Sequence, residues 1–280
     1  MPLQLMYITN RPEIARIAQD SGVDYIFVDM EYIGKQARQT GDTVKSNHTI
    51  QDIRNVRSVL DRSQLLVRVN PITPPSAGFV GSKMEIEQAI QAGADVLMLP
   101  MAKSVGELEQ FITYVDGRAK TMLLLETPEA VMQLDSMLQV TGLDRIHIGL
   151  NDLHLAYRKR FMFQLLTDGT VEKICKKIAN AGLPYGFGGI ARIGLGMLPS
   201  EYVIAEHYRL GSSAAILSRS FCNANKMENV EQIREVFLEG VRRIRQYEDE
   251  LLFYTPEQFE DNRTQTKTLV ENICKVMEGK

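Results

Sequence analysis

Short apolar runs alternate with amphipathic segments along most of this chain, and no other feature of the sequence constrains its fold as strongly. The runs lack the polar alternation of a half-exposed strand, which is typical of strands buried on both faces of a parallel sheet. Between them, apolar residues recur at the i, i+3 and i+7 spacing of a helix face, as Val131, Leu134 and Leu138 do. The runs that we predict as strands span 4–8, 24–29, 65–69, 95–99, 122–125, 146–149, 185–188 and 214–217.

Strands and helices that alternate through these eight runs predict a TIM-type (β/α)8 barrel, and an open doubly wound sheet is the alternative that the pattern leaves. Start and stop signals agree with this alternation. Asn10 and Thr127 can each cap a helix that opens with a proline. Glycines close several helical patterns just before a strand, and they are Gly22, Gly93, Gly142, Gly182 and Gly211.

The domain organisation follows from the absence of any linker-like stretch, so we predict a single domain over residues 1–280. Residues 70–82 are rich in proline and glycine and are predicted to form a long loop after a strand. The tail is longer than one closing helix requires, and residues 223–280 are predicted to form a C-terminal helical extension. That extension is either additional surface packing or an arm that docks on a neighbouring subunit, and both interpretations stay open.

Composition argues against several classes of partner. The net charge is −3 and the basic residues are scattered, so no nucleic-acid partner is expected. Three cysteines lie far apart without a CxxC pair, which argues against a zinc site or a disulfide framework. The sequence contains no apolar run long enough to span a bilayer and its first residues do not resemble a signal peptide, so we expect no membrane partner and a cytoplasmic location.

Charged residues stand at the carboxyl ends of the predicted strands, which is the face where TIM barrels keep their active sites. Glu126 and Asp152 follow consecutive strands, and neighbouring strands lie about 4.8 Å apart. Two carboxylates so placed can bind one ion, and two acidic ligands completed by water and substrate oxygens are typical of Mg²⁺. The competing interpretations are that Asp152 caps a helix and that Glu126 forms a salt bridge with Arg68. The other charged positions at this face are Asp29 and Glu31.

Arg68 lies within the predicted third strand. A guanidinium in that environment is costly unless a partner pairs with it. Its two-pronged geometry matches a carboxylate. Arg68 is therefore predicted either to bind a substrate carboxylate or to steady Glu31 or Glu126.

Five segments, taken in order, resemble motifs of the HpcH/HpaI aldolase and citrate lyase family, and the resemblance covers roughly residues 1–220. Each motif is weak alone, but their order and spacing fit the family. The segments are Phe-Val-Asp-Met-Glu-Tyr at 27–32, Leu-Val-Arg-Val-Asn at 66–70, Val-Leu-Met-Leu-Pro-Met at 96–101, Leu-Glu-Thr at 125–127 and Ile-Gly-Leu-Asn-Asp-Leu at 148–153.

The resemblance implies a metal-dependent carbon–carbon lyase of the class II aldolase type. It implies a divalent ion on Glu126 and Asp152, with Mg²⁺ first and Mn²⁺ or Co²⁺ as alternatives, and no Schiff-base lysine. A 2-oxo acid such as pyruvate would chelate that ion, and Arg68 would touch the oxygen that becomes an enolate, which then adds to an aldehyde. Gly149 and Asn151 are implied to contact the substrate. The family often forms hexamers with exchanged C-terminal helices, so the resemblance also implies a homo-oligomer, either a trimer or a hexamer.

The residues expected to move protons depart from the family pattern. The catalytic candidates that accompany Arg68 are Asp29, Glu31 and Tyr32. The aldolase branch carries a histidine where this chain has Tyr32, and the citrate lyase branch carries a second acidic residue there. Tyrosine has an ordinary pKa of about 10 and is a poor base at neutral pH. Tyr32 is therefore predicted to act as a proton donor, with a metal-bound water as the alternative.

The loops after the last two predicted strands supply further candidates for substrate binding. Gly189 and Arg192 follow the seventh strand, and Arg219 follows the eighth. In barrels these two loops often hold a phosphate. We therefore hypothesise that the substrate carries a phosphate or a second carboxylate there. The alternative is that these residues form tight turns and structural ion pairs.

The resemblance thus implies a lyase that acts on a 2-oxo acid and an aldehyde through a pyruvate-type enolate. Two other functions stay open. One is an acyl-CoA lyase of the citrate or malyl type, which would bind a CoA thioester. The other is a non-catalytic ligand-binding barrel that lost its base at Tyr32.

Overall fold

Eight parallel strands form a closed barrel in the computed structural model, which describes residues 1–35 and 48–278. Each strand pairs with the next along the chain, and the last pairs with the first. The predicted TIM-type barrel is therefore confirmed, and the open sheet is excluded. The strands are β1 (Gln4–Ile8), β2 (Tyr25–Asp29), β3 (Gln64–Arg68), β4 (Val96–Leu99), β5 (Lys120–Leu125), β6 (Arg145–Ile148), β7 (Tyr185–Ile190) and β8 (Ala214–Leu217).

Helices fill the connections between the strands and continue after β8. Some connections carry more than one short helix, so the described helices outnumber the strands. In chain order they are α1 (Pro12–Asp20), α2 (Ile50–Arg57), α3 (Ser82–Gln91), α4 (Val105–Val115), α5 (Pro128–Met132), α6 (Leu134–Met137), α7 (Leu150–Ala156), α8 (Gln164–Thr167), α9 (Thr170–Asn180), α10 (Ser200–Arg209), α11 (Val230–Leu251) and α12 (Pro256–Glu278).

The boundaries test the local signals in the sequence. Every predicted strand is confirmed, with small shifts at its ends. Thr127 caps α5 as predicted, because its hydroxyl accepts a hydrogen bond from the Ala130 N–H at 3.1 Å. The prediction for Asn10 is wrong. Arg11 occupies the cap position of α1, since Pro12 is already the first helical residue, and the Asn10 amide instead donates to Asp52 at 3.3 Å.

Strand periodicity places the inner side chains of the barrel. Phe27, Leu66 and Leu124 point inward and form part of a buried apolar cluster that fills the barrel below its mouth. Successive side chains alternate between the two faces of a strand, so the residues two positions further on point inward as well. Those residues are Asp29, Arg68 and Glu126. The apolar packing inside the barrel thus ends at the level of Asp29, Arg68 and Glu126.

The C-terminal extension packs on the barrel of its own chain. Helix α11 lies against α1, and Glu248 on α11 accepts a hydrogen bond from the Leu3 N–H at 2.6 Å. Helix α12 packs on α8 and α10, where the Asn262 amide donates to the Tyr202 carbonyl at 3.2 Å. Within the single chain, the C-terminal extension therefore acts as additional surface packing, which is the first of the two interpretations. Among the described residues, the helices are all too short or too polar to cross a bilayer.

His207 on α10 makes the stability of the fold sensitive to acid. Its ring is fully buried, stacks on Phe187 at 3.7 Å between centroids and bonds the Ser212 hydroxyl at 2.7 Å. Burial lowers the pKa of His207 from 6.5 to about 3. Between these two values the unfolded chain binds a proton that the folded chain does not. The free energy of unfolding therefore falls as the pH falls through this window, by at most about 1.4 kcal/mol per pH unit for one such group.

We expect His207→Gln to remove this contribution to the pH slope of the unfolding free energy, measured by urea unfolding at several pH values. Val203→Ala on the same helix is the matched control, because Val203 is buried and does not titrate. The control should lower the unfolding free energy at every pH and leave the slope unchanged. A wild-type slope in His207→Gln would contradict the prediction.

Candidate active site

The carboxyl ends of the strands enclose one cavity of about 350 Å³ at the mouth of the barrel. Its floor is apolar and contains Phe27, Met98 and Leu124 from the inner cluster. Its walls are charged, which is unusual for a buried surface and is typical of an active site. The charged side chains that line it are Asp29, Lys35, Arg68, Glu126, Asp152 and Arg219.

Glu126 and Asp152 enter this cavity from neighbouring elements. Strands β5 and β6 pair with Leu125 opposite Ile148, and the Gly149 N–H continues the ladder by donating to the Leu125 carbonyl at 3.0 Å. Glu126 directly follows β5, and Asp152 lies in the first turn of α7. Gly149 occupies the cap position of α7 and Asp152 lies inside its first turn, so Asp152 is not the cap residue of this helix. Both carboxylates line the same cavity, which is the arrangement that two adjacent strand ends produce.

The positive charge near the Glu126 carboxyl is too small to offset the effect of its burial. Its side chain is 3% exposed, and one oxygen accepts a hydrogen bond from the Met101 N–H at 3.1 Å. The pKa of Glu126 is raised to about 8, chiefly by burial; the Arg68 guanidinium lowers it by less than burial raises it, and the negative charges of Asp152 and Glu31 raise it as well. A divalent cation between the two carboxylates would remove this imbalance.

Gly149 makes room for the Glu126 carboxylate. A β-carbon at position 149 would lie 2.9 Å from Glu126 Oε2 and 2.8 Å from its Cβ. The φ angle of Gly149 is −83°, which any residue can adopt, so the glycine is required by the close approach and not by the backbone. The loop after β6 thus shapes the carboxylate pair.

Arg68 and Asp29 form a two-pronged ion pair across paired positions of β2 and β3. Arg68 Nε and one terminal nitrogen each donate to an Asp29 oxygen at 2.8 Å. Burial alone would raise the pKa of Asp29, but the charges of Arg68 and Lys35 outweigh it and hold the pKa below its usual range. Burial would lower the pKa of Arg68, but the surrounding carboxylates raise it above its ordinary value. Both groups are therefore charged at every ordinary pH.

Lys35 is the charged residue of this cavity that sequence reasoning missed. It is 5% exposed, its Nζ donates to Asp29 Oδ2 at 2.7 Å, and it lies 3.9 Å from Glu31 Oε2. Glu31 itself lies 3.5 Å from Arg68 Nε. The spacing of four residues between Glu31 and Lys35 was the available signal, because an acidic and a basic residue at that spacing can form an ion pair.

His147 also lines the cavity. Its register partner on β5 is Leu124, which belongs to the inner cluster. His147 Nε2 donates to the Gly188 carbonyl at 3.1 Å, which leaves Nδ1 without a hydrogen-bond partner. Burial lowers the pKa of His147 to about 4, so the ring is neutral.

The remaining predicted substrate contacts divide into two groups. Asn151, Gly189 and Arg219 line the cavity together with Gly149. Arg192 does not line it: its Nε is buried without a hydrogen-bond partner, and its side chain approaches Gly240 of α11. The geometry gives Arg192 a position between the barrel and α11, so the structure does not bring it to the substrate candidates.

Tyr32 lies outside the cavity lining as well. Its side chain is 47% exposed, its hydroxyl donates to the Gly78 carbonyl at 3.3 Å, and its ring packs edge-on against Phe79. These partners belong to the long loop 70–81 that joins β3 to α3, which was predicted as a loop. The predicted proton-donor role of Tyr32 therefore has no geometric support.

A closed barrel with charged side chains at the carboxyl ends of its strands has the architecture of a TIM-barrel enzyme. Residues 4–181 match the family model described as HpcH/HpaI aldolase/citrate lyase. The match spans more than half of the 280 residues, and the chain belongs to the HpcH/HpaI aldolase/citrate lyase family. The resemblance predicted from the five motifs is therefore confirmed.

Individual relatives are distant in sequence. A 2-keto-3-deoxy-L-rhamnonate aldolase of Shigella dysenteriae serotype 1 (strain Sd197) is 23% identical over 210 residues, which are 64% of this chain and 71% of that protein. The structure of an HpcH/HpaI aldolase from Desulfitobacterium hafniense DCB-2 has a TM-score of 0.59 at 16% identity and covers 84% of this chain and 93% of its own. An HpcH/HpaI aldolase/citrate lyase family protein from Burkholderia cenocepacia J2315 has a TM-score of 0.60 at 13% identity, with 83% and 95% covered.

The family and the Shigella relative together make this chain a carbon–carbon lyase of the class II aldolase type. Dependence on a divalent metal is the general property of the family. The likeness to the two solved structures supports the barrel fold alone, since both are below a quarter identical to this chain.

Proposed function

We propose that this enzyme makes and breaks the carbon–carbon bond between a 2-oxo acid and an aldehyde through a pyruvate-type enolate. The observation that carries the proposal is the position of Arg68 in one cavity with the carboxylates of Glu126 and Asp152. The carboxylates suit a cation that a 2-oxo acid can chelate. The guanidinium suits the oxygen on which negative charge develops.

Glu126 and Asp152 are the residues that would hold the cation, Mg²⁺ in the first place and Mn²⁺ or Co²⁺ as alternatives. Within residues 1–35 and 48–278, no three His, Cys, Asp or Glu side chains are grouped to hold a metal. Two protein carboxylates would thus leave the other positions to water and to substrate oxygens. When bound, such an ion supplies Lewis-acid polarisation of the keto group.

The residues of the chain act on charge and orientation. Arg68 donates N–H groups toward the keto oxygen, and Asp29 fixes the plane of that guanidinium through its two hydrogen bonds of 2.8 Å. Because the fork is formed before the substrate arrives, stabilising the enolate requires little reorganisation. The apolar floor around Met98 and Leu124 keeps water from the carbon that loses its proton.

The substrates of the site are small molecules. The name of the Shigella relative refers to a sugar-derived 2-oxo acid. We propose that the substrate of this enzyme belongs to the same class. Asn151 and Arg219 in the cavity wall can bind hydroxyl groups or an anionic group of the aldehyde, including a phosphate. Arg192 is not part of this proposal.

Exchange of the pyruvate methyl protons in D₂O tests the function directly, followed by NMR with Mg²⁺ or Mn²⁺ and then with a chelator. Loss of the methyl signal that needs the metal supports the enolate. Acetyl-CoA is examined in parallel: exchange there and not in pyruvate would replace the proposal by the acyl-CoA lyase. Metal binding without proton exchange in either compound would favour the third function, a non-catalytic ligand-binding barrel.

Gly149→Ala tests which residues hold the metal. The added methyl group would lie 2.9 Å from Glu126 Oε2 and displace that carboxylate, so we expect the affinity for Mn²⁺, measured by calorimetry, to fall by about tenfold or more. Gly106→Ala in α4 is the matched control, because a β-carbon there meets no atom within 4 Å. Equal Mn²⁺ affinity in both variants would argue against Glu126 as a ligand.

Three proposals about the whole protein accompany the reaction. We propose a single domain over residues 1–280, a homo-oligomer of three or six subunits and a cytoplasmic location. Light scattering of the purified protein tests the assembly, and cell fractionation tests the location.

A further inference from the structure

We infer that Lys35 is the proton donor for the oxygen of the aldehyde partner in the bond-forming step. The inference rests on the proposed function, because it assigns a role to Lys35 within that reaction. Lys35 would contact the aldehyde oxygen directly and would therefore be a catalytic residue. The Schiff-base chemistry of other lysine-containing aldolases is not part of the inference.

The bond-forming step produces a charge that needs a proton. The enolate carbon of the 2-oxo acid forms a bond to the aldehyde carbon, and the two π electrons of the aldehyde carbonyl move onto its oxygen. The resulting alkoxide takes one proton and becomes a hydroxyl, while the keto group of the 2-oxo acid is restored. Cleavage runs the same path backwards, and the hydroxyl then gives its proton to the neutral amine. No oxidant or reductant enters in either direction.

Few side chains of the described cavity wall can supply that proton. Arginine does not lose its proton in proteins, which excludes Arg68 and Arg219. The Tyr7 hydroxyl donates to the Cys222 carbonyl at 3.2 Å, and burial raises the pKa of Tyr7 well above its ordinary value. The one N–H of neutral His147 donates to the Gly188 carbonyl.

Lys35 has the required form and position. It lines the cavity, and its Nζ forms an ion pair with Asp29 at 2.7 Å. An ammonium group carries three donors, and the described contacts use two of them, on Asp29 Oδ2 and on the Glu31 carbonyl at 3.4 Å. The third donor can turn to a substrate oxygen. After the proton has left, the neutral amine can still donate a hydrogen bond to Asp29, which would hold it in place.

Among residues 1–35 and 48–278, the charged groups beside Lys35 come from β2, the segment that follows it and β3. Asp29 is at the end of β2, Glu31 follows it, and Arg68 reaches over from β3. His48, just before α2, accepts a hydrogen bond from the Asp29 N–H at 2.9 Å, and burial lowers the pKa of His48. His48 is thus neutral and buttresses Asp29, and Asp29 and Glu31 are the carboxylates that the described residues place beside Lys35 and Arg68.

Lys35 and Arg68 are neighbours in the cavity. Asp29 accepts hydrogen bonds from Arg68 on both oxygens and from Lys35 on one of them, so the two cations lie side by side. Both line the same cavity as Glu126 and Asp152. A keto acid bound beside Arg68 would therefore lie in the cavity that the Lys35 ammonium also lines.

The test compares two reactions of the same full-length variants. One is methyl-proton exchange of pyruvate in D₂O, which needs no aldehyde. The other is addition of pyruvate to glycolaldehyde, lactaldehyde and glyceraldehyde, scored by NMR. We expect Lys35→Met to lower addition by about 10²-fold or more and to lower exchange by less than about tenfold. Lys176→Met on the exposed face of α9 is the matched control and should leave both rates unchanged.

Chemical rescue separates proton donation from a positioning role. Lys35→Ala leaves space beside Asp29, and we expect added ethylamine to restore part of its addition rate. Lys35→Met fills that space, so the same amine should have no effect. A residue that only positioned Arg68 would not give this difference.

Several results would overturn the assignment. Equal losses of exchange and addition in Lys35→Met, with no rescue by ethylamine in Lys35→Ala, would make Lys35 a residue that positions Asp29 and Arg68. Wild-type addition in Lys35→Met, or a wild-type enzyme that exchanges pyruvate protons and adds to none of the aldehydes, would remove the role altogether. Absence of exchange in the wild-type enzyme would contradict the proposed function itself and is distinguishable from these results.

Discussion

Glu126→Gln is expected to lower metal-dependent exchange of the pyruvate methyl protons by about 10³-fold or more. Glutamine keeps the size of the side chain and the acceptor for the Met101 N–H, but it has no charge to offer a cation. Asp152→Asn should have the same effect. Calorimetry with Mn²⁺ should show that both variants lose the tight binding of the wild-type protein.

The Glu126→Gln variant should still fold. A loss of exchange in a folded variant can then be attributed to the metal site and not to unfolding. In the metal-free protein, burial raises the pKa of Glu126 from 4.5 to about 8. Between these values the folded protein keeps a proton that the unfolded chain has released. The wild-type protein therefore loses stability as the pH rises from about 4.5 to about 8, and above that range the contribution is gone.

Glutamine cannot release a proton, so the metal-free variant should be more stable than the metal-free wild type at about pH 8, by roughly 1–3 kcal/mol. The two should differ little at about pH 4.5. Thermal unfolding in the presence of a chelator measures the stability of the two proteins at each pH. Glu109→Gln on the exposed face of α4 is the control. A Glu126→Gln variant that exchanges protons at the wild-type rate would remove the basis of the proposed metal site.

Arg68→Lys is expected to lower kcat for exchange by about 10²-fold to 10³-fold while Mn²⁺ still binds. Lysine keeps one positive charge near Glu126 but cannot form the two hydrogen bonds of 2.8 Å to Asp29. The keto oxygen would then lie near an ammonium group that Asp29 does not hold in a fixed orientation. Because the loss concerns the transition state, kcat should fall and KM should change less.

Arg145→Lys is the control for this substitution. Arg145 begins β6 at the opposite end of the barrel, where it donates to Gln4 Oε1 at 2.5 Å and to the Tyr25 hydroxyl. This substitution removes a half-buried guanidinium that does not line the cavity, and the variant's exchange rate should equal that of the wild type. Wild-type kcat in Arg68→Lys would show that charge alone, without the fork, stabilises the enolate.

Much of the site could be predicted because it depends on strands. A buried parallel strand is a local pattern of about five apolar residues, and its end is where that pattern stops. Glu126, Arg68 and Asp29 lie at such ends, so the order of the strands brought them together in the predicted cavity. The family motifs run through the same strand ends, and the comparison with known proteins confirmed the family and the class II aldolase type.

The sequence by itself determined the eight strands, the barrel and the residues at the strand ends, because apolar periodicity and side-chain alternation are local properties. Only the tertiary structure decided the direction of side chains that leave the strands. Tyr32 turns out to the loop 70–81 while Lys35, three residues later, turns in, and Arg192 packs toward α11 instead of the cavity. Those directions depend on partners distant in sequence, such as Gly78 for Tyr32 and Gly240 for Arg192, and no local pattern encodes them.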